Sequence, residues 1–185
     1  MSELRVASRY AKSLIELAEE RGELEQVYKD MQLFSKTISQ NRDFQLMLQN
    51  PIIKSDKKLA ILNSVFKGKV QELTTAFFGI VTRKNREAAL EFMAKSFEEQ
   101  YFEIKGIQKA HVASAFPLSP ALREQLGLKL AAESGKQIIL EEVVDPSLIG
   151  GMVIRVGDKQ IDSSVKHNLR KLRNEFKENP YINKL

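Results

Sequence analysis

The sequence predicts a mainly α-helical protein with a smaller α/β part: an N-terminal six-helix antiparallel bundle over residues 1–105, then a small α/β domain over residues 106–185. Three observations carry this. Only 9 Gly and 5 Pro punctuate 185 residues, too few for a sandwich of many short strands. Apolar residues recur at three- and four-residue steps through the first hundred positions. From Lys105-Gly106 onward, alternating stretches enter between helical ones, as in a small sheet.

Leu4, Ala7, Ala11, Leu14 and Ala18 form one stripe on a helix over residues 2–20, and three alanines allow a close neighbour along that seam. Gly22 breaks it. A second helix follows from Glu23, with Leu24, Val27, Met31, Phe34 and Ile38 on one side. Asn41 is the expected cap of a short third helix carrying Phe44, Met47 and Leu48, which Asn50-Pro51 stops. Ser55 is the expected cap of a fourth, with Leu59, Leu62 and Phe66 inward and Gly68 at its end. The fifth helix, residues 71–82, has almost no polar face: Leu73, Ala76, Phe77, Phe78, Ile80 and Val81. Phe77 and Phe78 point about 100° apart, more than one bundle core readily covers, so the helix is buried either within its own bundle or against a partner helix. The sixth, residues 86–104, places Leu90, Met93, Phe97, Tyr101 and Ile104 in one seam.

In the second part, residues 107–115 alternate as a strand and Pro117 closes it. Ser119-Pro120 starts a helix with a hydroxyl cap and proline at the first position; Leu122, Leu126 and Leu130 lie along it, and Gly135 ends it. Residues 137–144 form a second strand, followed by the turn Asp145-Pro146-Ser147. Residues 152–156 and 159–161 are short strands around Gly157-Asp158, where glycine in first position suits a type II′ turn. Asp162 or Ser163 caps the last helix, with Val165, Leu169, Leu172 and Phe176 on one face.

Composition excludes several function classes. Cysteine is absent, so there is no disulfide framework, thiol catalysis or thiolate zinc site. His111 and His167 are too few for a histidine-rich metal site. The net charge of +5 is spread over both parts, unlike the concentrated basic excess of a dedicated nucleic-acid binder. The apolar runs at residues 76–81 and 148–154 are far shorter than the roughly 20 residues of a membrane span. Lys12 and Glu16 interrupt any signal-peptide pattern, and the acids at positions 16–25 do not suit a transit peptide.

No catalytic constellation stands out. Gly150-Gly151 lacks the Lys-Ser/Thr of a phosphate loop and opens a strand, where paired glycines let the backbone bend and pack closely. His111 reads as strand packing and His167 as a surface residue. Glu19-Glu20, Glu98-Glu99 and Glu141-Glu142 read as solvated faces. The last helix sets Lys166, Arg170, Lys171, Arg173 and Lys177 against Glu175 and Glu178, a pattern that suits a solvated face, an acidic partner, a phosphate backbone or a lipid surface.

Several segments carry a family resemblance. Val6-Ala7-Ser8-Arg9-Tyr10-Ala11-Lys12-Ser13-Leu14 is similar to the start of the delta subunit of bacterial ATP synthases. Thr82-Arg83-Lys84-Asn85-Arg86 resembles that family's break before its sixth helix. Ser114-Ala115-Phe116-Pro117-Leu118-Ser119 resembles its strand-to-helix junction. The most specific match is the stretch 144–158, holding Asp145, Pro146, Gly150, Gly151 and Gly157, continued through Ile161-Asp162-Ser163-Ser164-Val165. Ser163 stands where the family usually has glycine.

The resemblance implies a non-catalytic peripheral-stalk (stator) subunit of a rotary proton-translocating ATP synthase, equivalent to the mitochondrial oligomycin sensitivity-conferring protein. It implies no cofactor, no metal and no nucleic acid. It further implies one copy in a hetero-oligomeric complex, held at the cytoplasmic face of the bacterial inner membrane only through partners. The implied partners are the alpha subunits, whose N-terminal helices occupy the groove between the first and fifth helices, and subunit b, which meets the C-terminal domain. The expected alpha-binding residues are Tyr10, Ala11, Leu14, Phe77, Ile80 and Val81. Those for subunit b are Leu169, Leu172, Arg173 and Phe176. On this reading Ala11→Arg weakens alpha binding and leaves the fold intact. The competing readings are a nucleic-acid binder using the final basic helix, which steep salt dependence would reveal, and an enzyme acting on a phosphorylated small molecule, which no motif supports.

Overall fold

The computed structural model describes residues 3–177, so Ser2, the expected start of the first helix, and Glu178 lie outside the described residues. The chain divides into two compact units, Met1–Ile104 and Lys105–Leu185. It is mainly helical with one small four-stranded sheet.

The first unit holds α1 (Glu3–Glu20), α2 (Leu24–Gln40), α3 (Arg42–Gln49), α4 (Ser55–Phe66), α5 (Glu72–Arg83) and α6 (Leu90–Lys105), with a 3-10 turn at Glu87–Ala89 before α6. Its core follows the helical periodicity. Ala7, Ala11, Leu14 and Ala18 of α1 are buried, as are Val27, Met31, Phe34 and Ile38 of α2 and Leu90, Met93 and Phe97 of α6. Phe34 gathers Phe44, Phe66 and Phe78 with ring centroids 5.0–6.5 Å apart. This joins α2, α3, α4 and α5 through tilted and edge-on contacts, the arrangement aromatic pairs favour.

Buried polar groups set the order of the helices. Asp30 of α2 accepts hydrogen bonds from the Gln71 backbone N–H and the Thr74 hydroxyl, both at 2.7 Å. A side chain of one helix thus satisfies donors at the start of another, which fixes where α5 begins. The Lys58 ammonium donates to the Leu48 carbonyl and to Glu87 Oε1, both at 2.8 Å. That pins α4 to the end of α3 and to the turn before α6.

Four expectations for this unit need correction. Neither Asn41 nor Ser55 makes a side-chain cap; Ser55 Oγ instead donates to Asn85 Oδ1 at 2.6 Å, bracing a residue with φ +53°. Leu4 and Ile104 are 61% and 50% exposed, because each lies at a helix end, a turn beyond the reach of the core. Ile15 and Phe102, absent from the predicted stripes, are buried. Phe77 and Phe78 are both covered within the unit, since Phe78 enters the aromatic cluster and Phe77 packs edge-on against Tyr10.

Tyr101 stacks on Tyr28 with centroids 3.9 Å apart and donates to Glu25 Oε2 at 2.8 Å. Burial, and then that carboxylate, push its phenol up to about 12 from about 10. The folded chain holds the neutral form, so the stability Tyr101 contributes is whole below about pH 10 and is lost as pH rises through about 12. Tyr101→Phe is therefore expected to flatten the fall in stability across that window, as read by denaturant titrations at successive pH values.

The second unit holds β1 (Ile107–Ser114), α7 (Pro120–Ser134), β2 (Gln137–Val144), β3 (Met152–Val156), β4 (Lys159–Asp162) and α8 (Val165–Lys177). The strand order is β2-β1-β3-β4. β1 and β2 are parallel, joined across α7 as a parallel pair requires, and the remaining pairs are antiparallel. Ala110, Val112, Leu130 and Ile154 form the buried centre, with Leu126, Leu140 and Met152 against it. Leu122, which lies along α7 with Leu126 and Leu130, is 39% exposed, for it lies in the first turn of the helix.

Ser119 Oγ accepts the Leu122 N–H and Gly135 ends α7 at φ +65°, as the sequence predicts. Gly157 takes φ +57° and Asp158 is not among the positive-φ residues, which fits the type II′ turn. Gly151 has φ +75°, and a Cβ there would lie 2.3 Å from the Ser163 carbonyl oxygen. The close approach expected of the paired glycines is therefore present, between the start of β3 and the segment entering α8. His111 is not packed: it is exposed, with Nδ1 3.0 Å from Glu141 Oε2. Its side chain lies on the sheet face opposite Ala110 and Val112, because side chains alternate along a strand.

The cap of α8 is neither Asp162 nor Ser163. Ser164, 1% exposed, accepts the His167 N–H at 3.1 Å. Asp162 accepts the Ser164 N–H at 2.9 Å, and Ser163 donates to the Met152 carbonyl at 2.9 Å. Hydrogen bonds from the Ser164 side chain and backbone hold the Asp162 carboxyl below its ordinary range. Ser164→Ala is expected to lower the stability of the second unit by about 1 kcal/mol, the usual worth of a helix cap, with circular dichroism in urea as the measurement.

Candidate functional site

Two apolar stripes run along α1, about 100° apart because adjacent helical residues diverge by that angle. One is the buried seam of Ala7, Ala11, Ile15 and Ala18. The other, Tyr10, Leu14 and Leu17 at steps of four and three, faces α5. On α5 the matching stripe is Leu73, Ala76, Phe77 and Ile80. Between the two lies an open cleft of about 590 Å³. Its floor is closed by Leu14 and Phe77, and its walls remain accessible, with Ile80 50% and Leu17 38% exposed.

Tyr10 and Phe77 meet edge to face at 6.4 Å between centroids. The Arg86 guanidinium lies 5.6 Å from the Tyr10 ring centre and donates to its hydroxyl at 3.4 Å. Arg9, Ser13, Arg21 and Glu72 complete the polar part of the lining. Such a surface offers apolar contact area fringed by cations, which suits the apolar face of an amphipathic helix.

Of the six residues expected to form this groove, Tyr10, Leu14, Phe77 and Ile80 line it. Ala11 and Val81 do not: they are 1% and 0% exposed and turn into the core. This is a correction of helix phase, since Ala11 neighbours Tyr10 and Val81 neighbours Ile80. Sequence reasoning missed Leu17, Leu73 and Ala76, although Leu17 lies seven positions after Tyr10 on the same face. It also missed the arginines Arg9, Arg21 and Arg86.

In the second unit, Val165, Leu169, Leu172 and Phe176 share one face of α8 and are 40–85% exposed. None of the described residues of α8 is buried, so its stripe does not cover a core. Arg173 flanks the stripe, and Lys166 donates to the Ser147 hydroxyl at 3.2 Å. The turn leading to β3 is built by Asp145, which accepts the Ser147 N–H at 2.9 Å, and Pro146, the first residue of a 3-10 turn. The Ser147 hydroxyl and backbone N–H hold the Asp145 carboxyl below its ordinary range. Gly150 stands where a Cβ would come within 3.0 Å of a Val165 methyl. Asp145, Pro146, Gly150, Gly151, Gly157 and Asp162 thus shape turns. Among the described residues no three His, Asp or Glu side chains gather as metal ligands, and no helix is long and apolar enough to cross a membrane.

Residues 6–176 match the family model described as ATP synthase delta (OSCP) subunit. The chain belongs to that family. The delta-family assignment is supported by curated relatives named ATP synthase subunit delta. One from Cytophaga hutchinsonii is 38% identical over 96% of this chain and 97% of its own. Another, from Amoebophilus asiaticus, is 39% identical over 95% and 96%. A relative from Symbiobacterium thermophilum is 36% identical over 90% of both chains. In fold, this delta-family chain is similar to a chain of the Toxoplasma gondii mitochondrial ATP synthase hexamer, with a TM-score of 0.71 at 24% identity over 94% of this chain and 98% of that one.

Proposed function

We propose that this delta-family chain is a non-catalytic connector in the peripheral stalk of a rotary ATP synthase. In this reading the helices of the first unit form a six-helix antiparallel bundle that holds the N-terminal helices of alpha subunits in the α1–α5 cleft. The second unit joins subunit b through α8, and the subunit resists rotor torque while staying bound. The observation that carries the reading is the open apolar cleft lined by Tyr10, Leu14, Phe77 and Ile80.

The physical task is retention under load. Nanomolar attachment corresponds to about −12 kcal/mol, and each fully buried leucine- or phenylalanine-sized side chain contributes roughly 1.5–3 kcal/mol. A partner helix with several apolar anchors is therefore required. The cleft gives it apolar walls on both sides, and the exposed stripe of α8 gives the second partner a similar surface. Association of the protein with the membrane follows from these two attachments.

Titration calorimetry of the full chain with a peptide of the alpha-subunit N-terminus, and separately with the C-terminal segment of subunit b, tests the assignment. Submicromolar binding of both, with no ATP hydrolysis by the chain itself, is the expected result. Binding of neither peptide would overturn it.

A further inference from the structure

The charges around the α1–α5 cleft are unevenly distributed along it. Arg9 adjoins Tyr10, and Arg86 packs on the Tyr10 ring from beyond the C-terminus of α5. Both are exposed, and no ion pair engages either among the described residues. Arg21 lies at the far end of α1, eleven residues or about 16 Å from Tyr10. Glu72 opens α5, at the opposite end of that helix from Arg86. One end of the cleft is thus doubly cationic, and at the other a carboxylate offsets a single arginine.

We propose that this asymmetry selects and orients the occupant: an amphipathic helix of about three turns whose apolar stripe ends, at one end only, in carboxylates that seat on Arg9 and Arg86. The inference rests on the reading of the cleft as a helix-binding groove. Apolar contact fixes affinity but fits a helix laid in either direction, whereas like and unlike charges at the two ends distinguish the directions. Arg86 suits the role because its stacking on Tyr10 holds the guanidinium in place while most of its five N–H donors remain available.

The test uses the full chain and three synthetic helical peptides with one apolar stripe. They carry carboxylates at the N-terminal end, carboxylates at the C-terminal end, or amides at both. Fluorescence anisotropy at low salt is expected to show one carboxylate peptide binding about tenfold tighter than the amide peptide, and the other gaining less than about threefold. In the Arg9→Gln/Arg86→Gln chain, with circular dichroism unchanged, the preference falls to within about twofold; high salt has the same effect. Equal binding of all three peptides, or an equal gain by both carboxylate peptides, overturns the charge selection and leaves the groove standing. Failure of all three to bind overturns both.

Discussion

Ala11→Arg is expected to unfold the first unit. Ala11 is 1% exposed, on the seam where α1 lies against its neighbours, and the side chain there has no route to water. The substitution forces a long chain into a close-packed seam and buries an unpaired charge. These are two of the few mechanisms that cost about 4 kcal/mol or more in a single step. A large fraction of the stability of a domain is usually no more than that, since domains are held by about 5–15 kcal/mol. Circular dichroism and denaturant titration should show loss of the cooperative transition of the first unit, whereas the sequence alone predicts an intact fold. Ala11→Gly separates packing from charge: it is expected to lower stability by about 1 kcal/mol through helix propensity, with the cleft preserved.

Ile80→Asp is expected to do the reverse, sparing the fold and removing the binding. Half of the Ile80 surface already faces solvent, so an aspartate there reaches water in the unbound chain and stability changes little. When a partner helix covers the cleft, the natural isoleucine loses its remaining water contact, while the aspartate is desolvated against apolar walls with no partner assured. Burying the exposed half of an isoleucine contributes about half of the roughly 1.5–3 kcal/mol of full burial. Desolvating an unpaired carboxylate adds a larger penalty, so the affinity for the alpha-subunit peptide is expected to fall by about tenfold or more. Calorimetry reads the affinity and thermal denaturation reads the fold. Val81→Ala is the contrasting control: Val81 is fully buried one residue away, so it is expected to lower stability and leave affinity nearly unchanged.

These paired variants show where sequence periodicity stops being informative. The helices were legible because their breaks are chemical: Gly22, Asn50-Pro51, Gly68 and Gly135 cannot continue a helix cheaply, and Ser119-Pro120 starts one. β1 was legible to within one residue of the expected 107–115 and β2 was legible as expected, because Gly106, Pro117, Gly135 and Asp145-Pro146-Ser147 bound them with turn-forming residues. The phase of α1 and α5 was not. Each carries apolar residues on adjacent positions, Tyr10 with Ala11 and Ile80 with Val81, and a single sequence does not say which of two neighbouring stripes meets the core. Caps were legible only where the acceptor is local. Asp30, 41 residues before Gln71, acts at the start of α5, and no spacing rule reaches that far. Ser164 caps α8 because it directly precedes Val165, while Ser163 is bonded to the Met152 carbonyl and Asp162 to the Ser164 N–H. The register of the sheet that sets this is not visible in the sequence.

The central claim is that a partner helix occupies the cleft between α1 and α5. The most direct measurement is a nuclear magnetic resonance titration of the isotope-labelled full chain with the alpha-subunit N-terminal peptide. Saturable shift changes centred on Tyr10, Leu14, Leu17, Ala76, Phe77 and Ile80 are expected, with the buried seam of Ala7 and Ala18 little affected. Saturable changes gathered on another surface, with these six residues unmoved, would contradict occupancy of the cleft.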